Sequence, residues 1–386
     1  MSADKIVLAG YLIRCPLGGY AWQVLHYLAG LRALGFDPYF YEDTAYYADC
    51  FDPLTGNMHV SPDAGVAFAA DFFAQFGFAD RWMFWDATRN QHYGLGAEET
   101  AAVLRAARLV LTLAPVTRLP HRQAGQCAVF IDIDPGFTQI RIAEGDAGLC
   151  ALLAAHDRHF TIGENIGTPA CPVPVQRFEW LPTRQPIALD LWEPLTPVPA
   201  AAYTTVGRWD EQRRDVRFQD AVYSWRKSVE WMKFLDLPAR TGERFALAMD
   251  IDKVPADAAL LQQHGWAAVD PIAVSRDACD YRNFIRRSKG EFTVAKDLNV
   301  RLATGWFSDR GACYLAAGRP VVTQDTGFAR VLPVGHGLFA IRGIEDAAAA
   351  FAHLAADYSA HAHAARQIAE SYFDGRRVLA DLLRRL

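Results

Sequence analysis

No apolar run in this sequence reaches about eighteen residues, so no segment is expected to cross a membrane as a helix. There is no Cys-x-x-Cys pair and no His/Cys cluster with zinc spacing. The seven cysteines are odd in number and lack close pairs, which gives no disulfide framework and suits a reducing cytoplasm. Met1-Ser2-Ala3-Asp4-Lys5 leads straight into Ile6-Val7-Leu8-Ala9, so no signal peptide is expected. A basic excess is missing too. With 39 Lys and Arg against 44 Asp and Glu, the net charge is −5, and no nucleic-acid partner is expected. Two carboxylate pairs, Asp132-Ile133-Asp134 and Asp250-Ile251-Asp252, have Asp-x-Asp spacing. Residues i and i+2 of a strand share a face in any sheet, so this spacing alone does not make a metal site, and none is expected.

What is present suits a two-domain globular protein. The chain has 386 residues, 51% of them hydrophobic and 22% charged. The clearest unit is at the start. A strand over Lys5–Ile13 leads through the loop Arg14–Gly19 into a helix from Tyr20 to Leu34, with Val24, Leu25, Leu28 and Leu31 on one face. Tyr39-Phe40-Tyr41 then reads as the second strand of a βαβ unit, which opens a parallel sheet. Residues 42–95 interrupt the pattern with many aromatics, among them Tyr46, Tyr47, Phe72, Phe73, Trp82 and Phe84. They read as a core lid, as an acceptor-binding insertion, or as a mixture of the two. Strand–helix alternation returns from residue 97 to 162, and a proline-rich stretch over 171–200 marks a domain boundary. The second half repeats the grammar from the strand Tyr203–Val206 onward, and a helix over Ala360–Leu383 closes it.

The most informative segment is Gly305-Trp306-Phe307-Ser308-Asp309-Arg310 with its continuation to Phe328. Ser308 and Asp309 are good N-cap residues, Gly318 stops the helix, and Pro320 prevents it resuming. A helix N-terminus with free N–H groups, plus Arg310 in its first turn, suits a diphosphate.

The tail Ala316-Ala317-Gly318-Arg319-Pro320-Val321 resembles the donor-site stretch of GT-B glycosyltransferases. Val206-Gly207-Arg208 is similar to the first strand and phosphate-binding turn of the same domain, and Pro16-Leu17-Gly18-Gly19-Tyr20 to the glycine-rich loop of the first. The resemblance implies an α/β fold of two Rossmann-like domains facing a cleft. It implies an acceptor domain over 1–185, a donor domain over 200–365, and a terminal helix over 366–386 packed back on the first domain. It also implies a phosphate role for Arg208, and a place beside the donor sugar for Asp325, Thr326 and Gly327. The paired glutamates of many retaining members are missing: Gly305 and Cys313 stand there. The stereochemical outcome is therefore left open.

From the residues themselves, Gly207, Lys227 and Trp306 join the donor set. Trp306 and Phe307 either pack on the sugar or anchor the turn. The cluster Arg208, Arg213, Arg214, Arg217, Arg226 and Lys227 suits a small phosphorylated ligand. The general base is sought at the end of the strand Phe130-Ile131-Asp132-Ile133-Asp134, with Asp134 ahead of Asp132, and Glu164 and His26 as further options. Gly18, Gly19, Tyr20 and Glu164 border the acceptor. The expected activity is metal-free, cofactor-free transfer of a sugar, most simply from a UDP-sugar, to a small molecule or glycan. A nucleotide- or glycan-binding protein without turnover and a nucleotide-sugar epimerase are the alternatives. A dinucleotide dehydrogenase is disfavoured, because Gly18-Gly19 does not sit in Gly-x-Gly-x-x-Gly.

Overall fold

The computed structural model describes residues 3–117, 122–175, 177–196, 201–210 and 214–386. Arg213, one of the arginines singled out above, lies outside the described residues.

Two parallel sheets organise the chain. The first contains β1 (Lys5–Ala9) and β2 (Asp37–Asp43), whose chain continues into a small hairpin of β3 (Cys50–Asp52) and β4 (Asn57–His59). It goes on through β5 (Trp82–Asp86), β6 (Gln91–Gly94), β7 (Leu109–Leu113), β8 (Cys127–Asp132), β9 (Arg158–Thr161) and β10 (Leu181–Pro182). Its spatial order is β10-β9-β8-β7-β1-β2-β5-β6, and only β6 runs antiparallel. The second half begins with β11 (Tyr203–Gly207) and a hairpin of β12 (Val216–Phe218) and β13 (Ala221–Tyr223). Then come β14 (Phe245–Met249), β15 (Trp266–Val269), β16 (Gly290–Thr293), β17 (Val321–Gln324) and β18 (Leu338–Ile341). Their order is β15-β14-β11-β16-β17-β18, all parallel. In both sheets the chain starts in the middle, winds outward, and returns to wind the other way. Such sheets bind ligands where the winding reverses, beyond the carboxyl ends of the strands. Those points lie between β1 and β7, and between β11 and β16.

The aromatic stretch over 42–95 is only partly an insertion. Trp82, Met83 and Phe84 are buried in β5, the third strand of the first sheet, and Phe72 and Phe73 line the core beneath it. Tyr46 and Tyr47 remain exposed. The run of aromatics hid a strand because large rings fill a two-sided buried sheet as readily as aliphatic residues do.

The helix expected over 360–383 is broken. Tyr358–Ile368 passes through a wide turn, Ala369–Phe373, and a new helix starts at Gly375–Arg384. Asp374 causes the break by accepting from the N–H groups of Arg376 and Arg377, a cap that competes with helix continuation. The last helix packs on the Gly18–Ala33 helix, where a Cβ on Gly30 would stand 2.6 Å from Leu379.

One apolar core runs through both halves. It joins Trp22, Leu25 and Leu28 of the Gly18–Ala33 helix to Tyr281, Ala312 and Leu315 of the second half. Trp22 Nε1 donates to the carbonyl of Ala278 at 2.7 Å. Asn165 bolts the other side: Nδ2 donates to the carbonyls of Ala303 and Gly327 at 2.9 and 3.1 Å, and its N–H to Thr304 at 3.0 Å. Gly327 has φ 89°, and a Cβ there would meet Asn165 Nδ2 at 2.5 Å, so only glycine permits this approach.

Candidate functional site

The site begins at the switch point of the second sheet. β11 and β16 are paired at Tyr203 and Thr204, after which the two strands run on towards Gly207 and Thr293. Arg310, in the first turn of the Asp309–Ala316 helix, fills that opening. Its Nη1 donates to the carbonyl of Val206 at 2.6 Å and its Nη2 to Thr293 Oγ1 at 3.0 Å. Nε is paired with Glu291 Oε1 at 2.5 Å. Glu291 is fully buried in β16, and Thr205 Oγ1 donates to the same oxygen at 3.2 Å. Arg310 is thus a fixed fork: each of its three nitrogens is anchored, while each Nη keeps a second N–H.

Lys227 stands beside this fork. It is half-buried, has no ion-pair partner within 4.0 Å among the described residues, and holds its ammonium 5.6 Å from the Trp306 ring. Burial pulls its pKa down to about 7, and the charges of Arg310 and Lys296 lower it further against the opposing pull of Glu291 and Asp309. Lys296, three residues beyond the end of β16, is paired with Asp134 at 3.0 Å and lies 3.1 Å from the Trp225 ring centroid. Arg208 follows Gly207, is exposed, and reaches towards Tyr11 and Cys15 of the first domain. Arg310, Lys227 and Lys296, gathered where two strands part and next to a helix N-terminus, suit a polyanion.

The rest of the donor segment is built to hold this geometry. Ser308 caps its helix, with Oγ accepting from Gly311 N–H at 2.8 Å. Asp309, the first helical residue, is half-buried, and burial raises its carboxyl pKa despite Arg310 and Lys227 nearby. Phe307 is buried against Phe328 and Phe373 and anchors the turn, whereas Trp306 is only partly covered. Thr326 Oγ1 donates to the Trp306 carbonyl at 2.5 Å, and Gly305 N–H to the Thr326 carbonyl at 2.7 Å. Asp325 Oδ1 accepts from Gly327 N–H at 2.8 Å, the self-contained turn that aspartate commonly forms.

On the first domain the sequence-based candidates separate. Asp134 stands at the mouth of the cleft with 41% of its side chain exposed. Asp132 lies inside the domain. Its oxygens accept from Thr138 Oγ1 at 2.7 Å, Gln139 Nε2 at 2.8 Å, Thr161 Oγ1 at 2.9 Å and Asp134 N–H at 3.2 Å. Burial pushes its pKa up to about 6 against those hydrogen bonds. It orders the turn that carries Asp134, and its carboxylate is enclosed by these partners. Glu164 is held bidentately by Arg184 at 2.6 and 2.9 Å. His26 is buried in the shared core, where Nδ1 accepts from Ala188 N–H at 3.0 Å, and burial drives its pKa down to about 3. His26 is thus enclosed in the core, while Glu164, like Asp134, is ion-paired, and burial raises its carboxyl pKa.

A buried carboxylate orders the stretch before the glycine loop. The N–H groups of Leu12, Ile13 and Arg14 all donate to the buried Glu42 carboxylate, at 2.8, 2.6 and 3.0 Å, and Arg14 pairs with it at 2.8 Å. Gly18 begins the following helix and lies against the other domain: a Cβ there would stand 2.5 Å from Tyr281 Cβ. Gly19 is near the same ring, and Tyr20 makes an edge-to-face contact with Tyr11 at 5.3 Å. Close packing against Tyr281 accounts for Gly18.

Sequence reasoning missed Glu291, Thr293, Lys296 and Glu42, and it missed the bridging role of Asn165. Glu291 carried a signal, a lone charge inside the apolar strand Gly-Glu-Phe-Thr. Lys296 carried another, a cation just beyond a strand at the switch point. Asn165 carried none. Among the described residues, no group of three or more His, Cys, Asp or Glu side chains has metal-binding geometry.

No protein-family model and no curated protein matches the sequence. Solved structures match it along nearly its whole length. One is an alpha-glucosyltransferase in complex with UDP and a 13-mer DNA containing a central A:G mismatch; it is 10% identical, with TM-score 0.62 and 98% of each chain covered. Another is Anabaena HepE in complex with UDP-glucose, 12% identical, with TM-score 0.56 over 99% of this chain and 100% of that one. A third is AviGT4, a glycosyltransferase involved in avilamycin A biosynthesis, 12% identical, with TM-score 0.50 over 99% of this chain and 96% of that one. The chain has the GT-B fold of these proteins. The same comparison corrects the expectation of no nucleic-acid partner, since the alpha-glucosyltransferase structures hold DNA together with UDP on this fold. Net charge failed as a criterion because it averages over the whole surface, whereas an acceptor groove is a local feature.

Proposed function

We propose that this chain is a glycosyltransferase that moves a sugar from a nucleoside diphosphate sugar, with UDP as the carried nucleotide. The observation that carries the reading is the cation cluster of Arg310, Lys227 and Lys296 at the β11–β16 switch point, beside the N-terminus of the Asp309–Ala316 helix. UDP and UDP-glucose in the structures sharing this fold support the choice of donor. Transfer develops negative charge on the departing diphosphate, and fixed guanidinium and ammonium groups stabilise that charge where it forms. In this reading the cations do the work of a metal, and transfer proceeds without one. Residues 200–365 hold the donor, and residues 1–185 present the acceptor near Asp134. Seven free cysteines suit a reducing, cytoplasmic setting.

A second reading, a nucleotide-binding protein without turnover, is favoured by one observation. Of the four groups considered as the base, Asp132, Glu164 and His26 are engaged internally, and Asp134 is tied to Lys296. Incubating the protein with labelled UDP-sugars and a panel of small molecules, glycans and duplex DNA separates the readings. Label moving to an acceptor, with UDP released, supports transfer. Saturable UDP binding without UDP release from any donor supports the second reading. No nucleoside diphosphate binding at all contradicts both.

A further inference from the structure

Gln324 ends β17, and its side chain is buried. The backbone ladder between β16 and β17 reaches only to Thr293 and Thr323. Beyond it, Gln324 Oε1 accepts from the N–H of Ala295 at 3.0 Å, so a side chain continues the pairing where the backbone ladder stops. On its other side Nε2 donates to Glu230 Oε2 at 2.7 Å. Glu230 is buried as well, and its Oε1 takes Lys233 Nζ at 2.6 Å. A buried polar network whose members are satisfied in this way fixes one arrangement of the segments it joins.

Those segments carry the donor-side groups. Ala295 is followed by Lys296, which reaches Asp134 and the Trp225 ring. Glu230 lies in the Ser228–Trp231 helix, and its N–H donates to the carbonyl of Lys227 at 2.9 Å. Gln324 itself leads into Asp325-Thr326-Gly327, the turn bonded to Gly305 and Trp306. One amide thus meets three chain exits. The place requires an amide, because the N–H of Ala295 needs an acceptor and the carboxylate of Glu230 needs a donor. Neither glutamate nor leucine supplies both.

We propose that Gln324 is a positioning residue of the donor site: it sets the separation of the segments carrying Lys227 and Lys296, so that both side chains reach one diphosphate. It acts through Glu230 and Ala295 rather than by touching the ligand. The inference rests on the diphosphate reading given above. Without the bridge both lysines remain, but nothing fixes where they stand relative to each other. UDP, whose two phosphates must meet both lysines, depends on that spacing more than UMP does. The signature of the role is therefore a lost preference for UDP over UMP, not a general weakening.

The test titrates the full chain with UDP and with UMP by calorimetry, at a temperature where a thermal melt shows each protein folded. Wild type is compared with Gln324→Leu, which removes the bridge without changing charge. It is also compared with the double exchange Gln324→Glu with Glu230→Gln, which reverses the bridge and keeps the net charge. In that exchange the amide donates from position 230, while the carboxylate at position 324 accepts from it and from Ala295 N–H. Gln324→Leu should bind UMP nearly as wild type does and lose about tenfold of its preference for UDP, as expected when a charge-assisted phosphate contact is lost. The double exchange should recover the wild-type ratio. A merely structural role would lower the melting temperature of Gln324→Leu and leave the ratio of the two affinities unchanged, which overturns the proposal. A double exchange that does not recover the ratio, or does not fold, overturns it too. Should Gln324→Leu fail to fold, Gln324→Glu alone takes its place, and equal ratios in it and in the double exchange overturn the proposal. A wild type that binds neither nucleotide, or that shows no preference for UDP, overturns the diphosphate reading itself, and so is distinguishable from failure of the Gln324 role.

Discussion

Asp134 of the first domain and Lys296 of the second meet across the cleft at 3.0 Å. This contact joins the carboxylate turn of one Rossmann-like half to the switch point of the other. Lys296 lies over the Trp225 ring, so it is held in place from below as well. Of the carboxylates weighed as the acceptor base, Asp134 is the most exposed, with 41% of its side chain open against 14% for Glu164 and a buried Asp132. Asp134→Asn is nearly isosteric and cannot accept a proton. Turnover is expected to fall by about 10²- to 10⁴-fold while UDP affinity holds. Wild-type turnover in that variant would make Asp134 a domain latch and nothing more.

Lys227 also makes the free protein's stability depend on pH. Burial pulls its pKa down to about 7 in the fold, from the ordinary lysine value of 10.5. Between those values the unfolded chain binds more protons, so this residue's contribution to stability rises as pH rises through that window. Urea unfolding of wild type and Lys227→Met should show wild type gaining on the variant from about pH 7 to about pH 10. A constant difference would mean that Lys227 titrates normally.

His26 works in the opposite range. Burial holds its pKa down at about 3, below the ordinary histidine value of 6.5. The unfolded chain therefore takes up a proton that the folded one refuses, and stability is lost as pH falls from about 6 towards 3. His26→Gln should flatten this acid limb, and the pH profile of turnover should be untouched. A shifted activity profile would return His26 to the list of bases.

Asn165 is the bolt between the halves, and it is buried. Asn165→Ala removes both of its side-chain hydrogen bonds and leaves the carbonyls of Ala303 and Gly327 without that donor. A stability loss of about 2–4 kcal/mol is expected from two such bonds, with a raised KM for the donor as the Gly305–Trp306 turn loosens. An unchanged melting temperature would show that the apolar core alone sets the domain arrangement.

Chelation gives the test of metal-free transfer. EDTA is expected to leave turnover in place, because Arg310, Lys227 and Lys296 already supply positive charge at the diphosphate position. Loss of activity that Mg or Mn restores would assign that task to a cation instead.

Much of the fold was legible because strand and helix periodicity, glycine stops and proline breaks are local signals. The Lys5–Ala9 strand, the helix after it and the donor segment near Ser308–Gly318 were all readable this way. Candidate site residues were legible only where one segment carried them, as at Gly207-Arg208 and Ser308–Arg310. Partners were not. Nothing local says that Glu42 takes the N–H groups of the glycine loop, that Asp132 turns inward, or that Arg310 is tethered by a glutamate 19 positions earlier. These pairings come from topology, because each joins a strand to an element that the sheet order brings beside it. Asp374, which splits the last helix, was readable as a cap in principle, but helical periodicity on both sides concealed it.

The most direct measurement of the central claim is a calorimetric titration of UDP into wild type and Lys227→Met at about pH 6.5, where the lysine is charged. Saturable one-site binding by wild type is expected, with affinity at least about tenfold weaker in the variant, the effect of losing a charge-assisted phosphate contact. Absence of UDP binding by wild type, or equal affinity in the two proteins, would contradict the placement of a nucleoside diphosphate at the β11–β16 switch point.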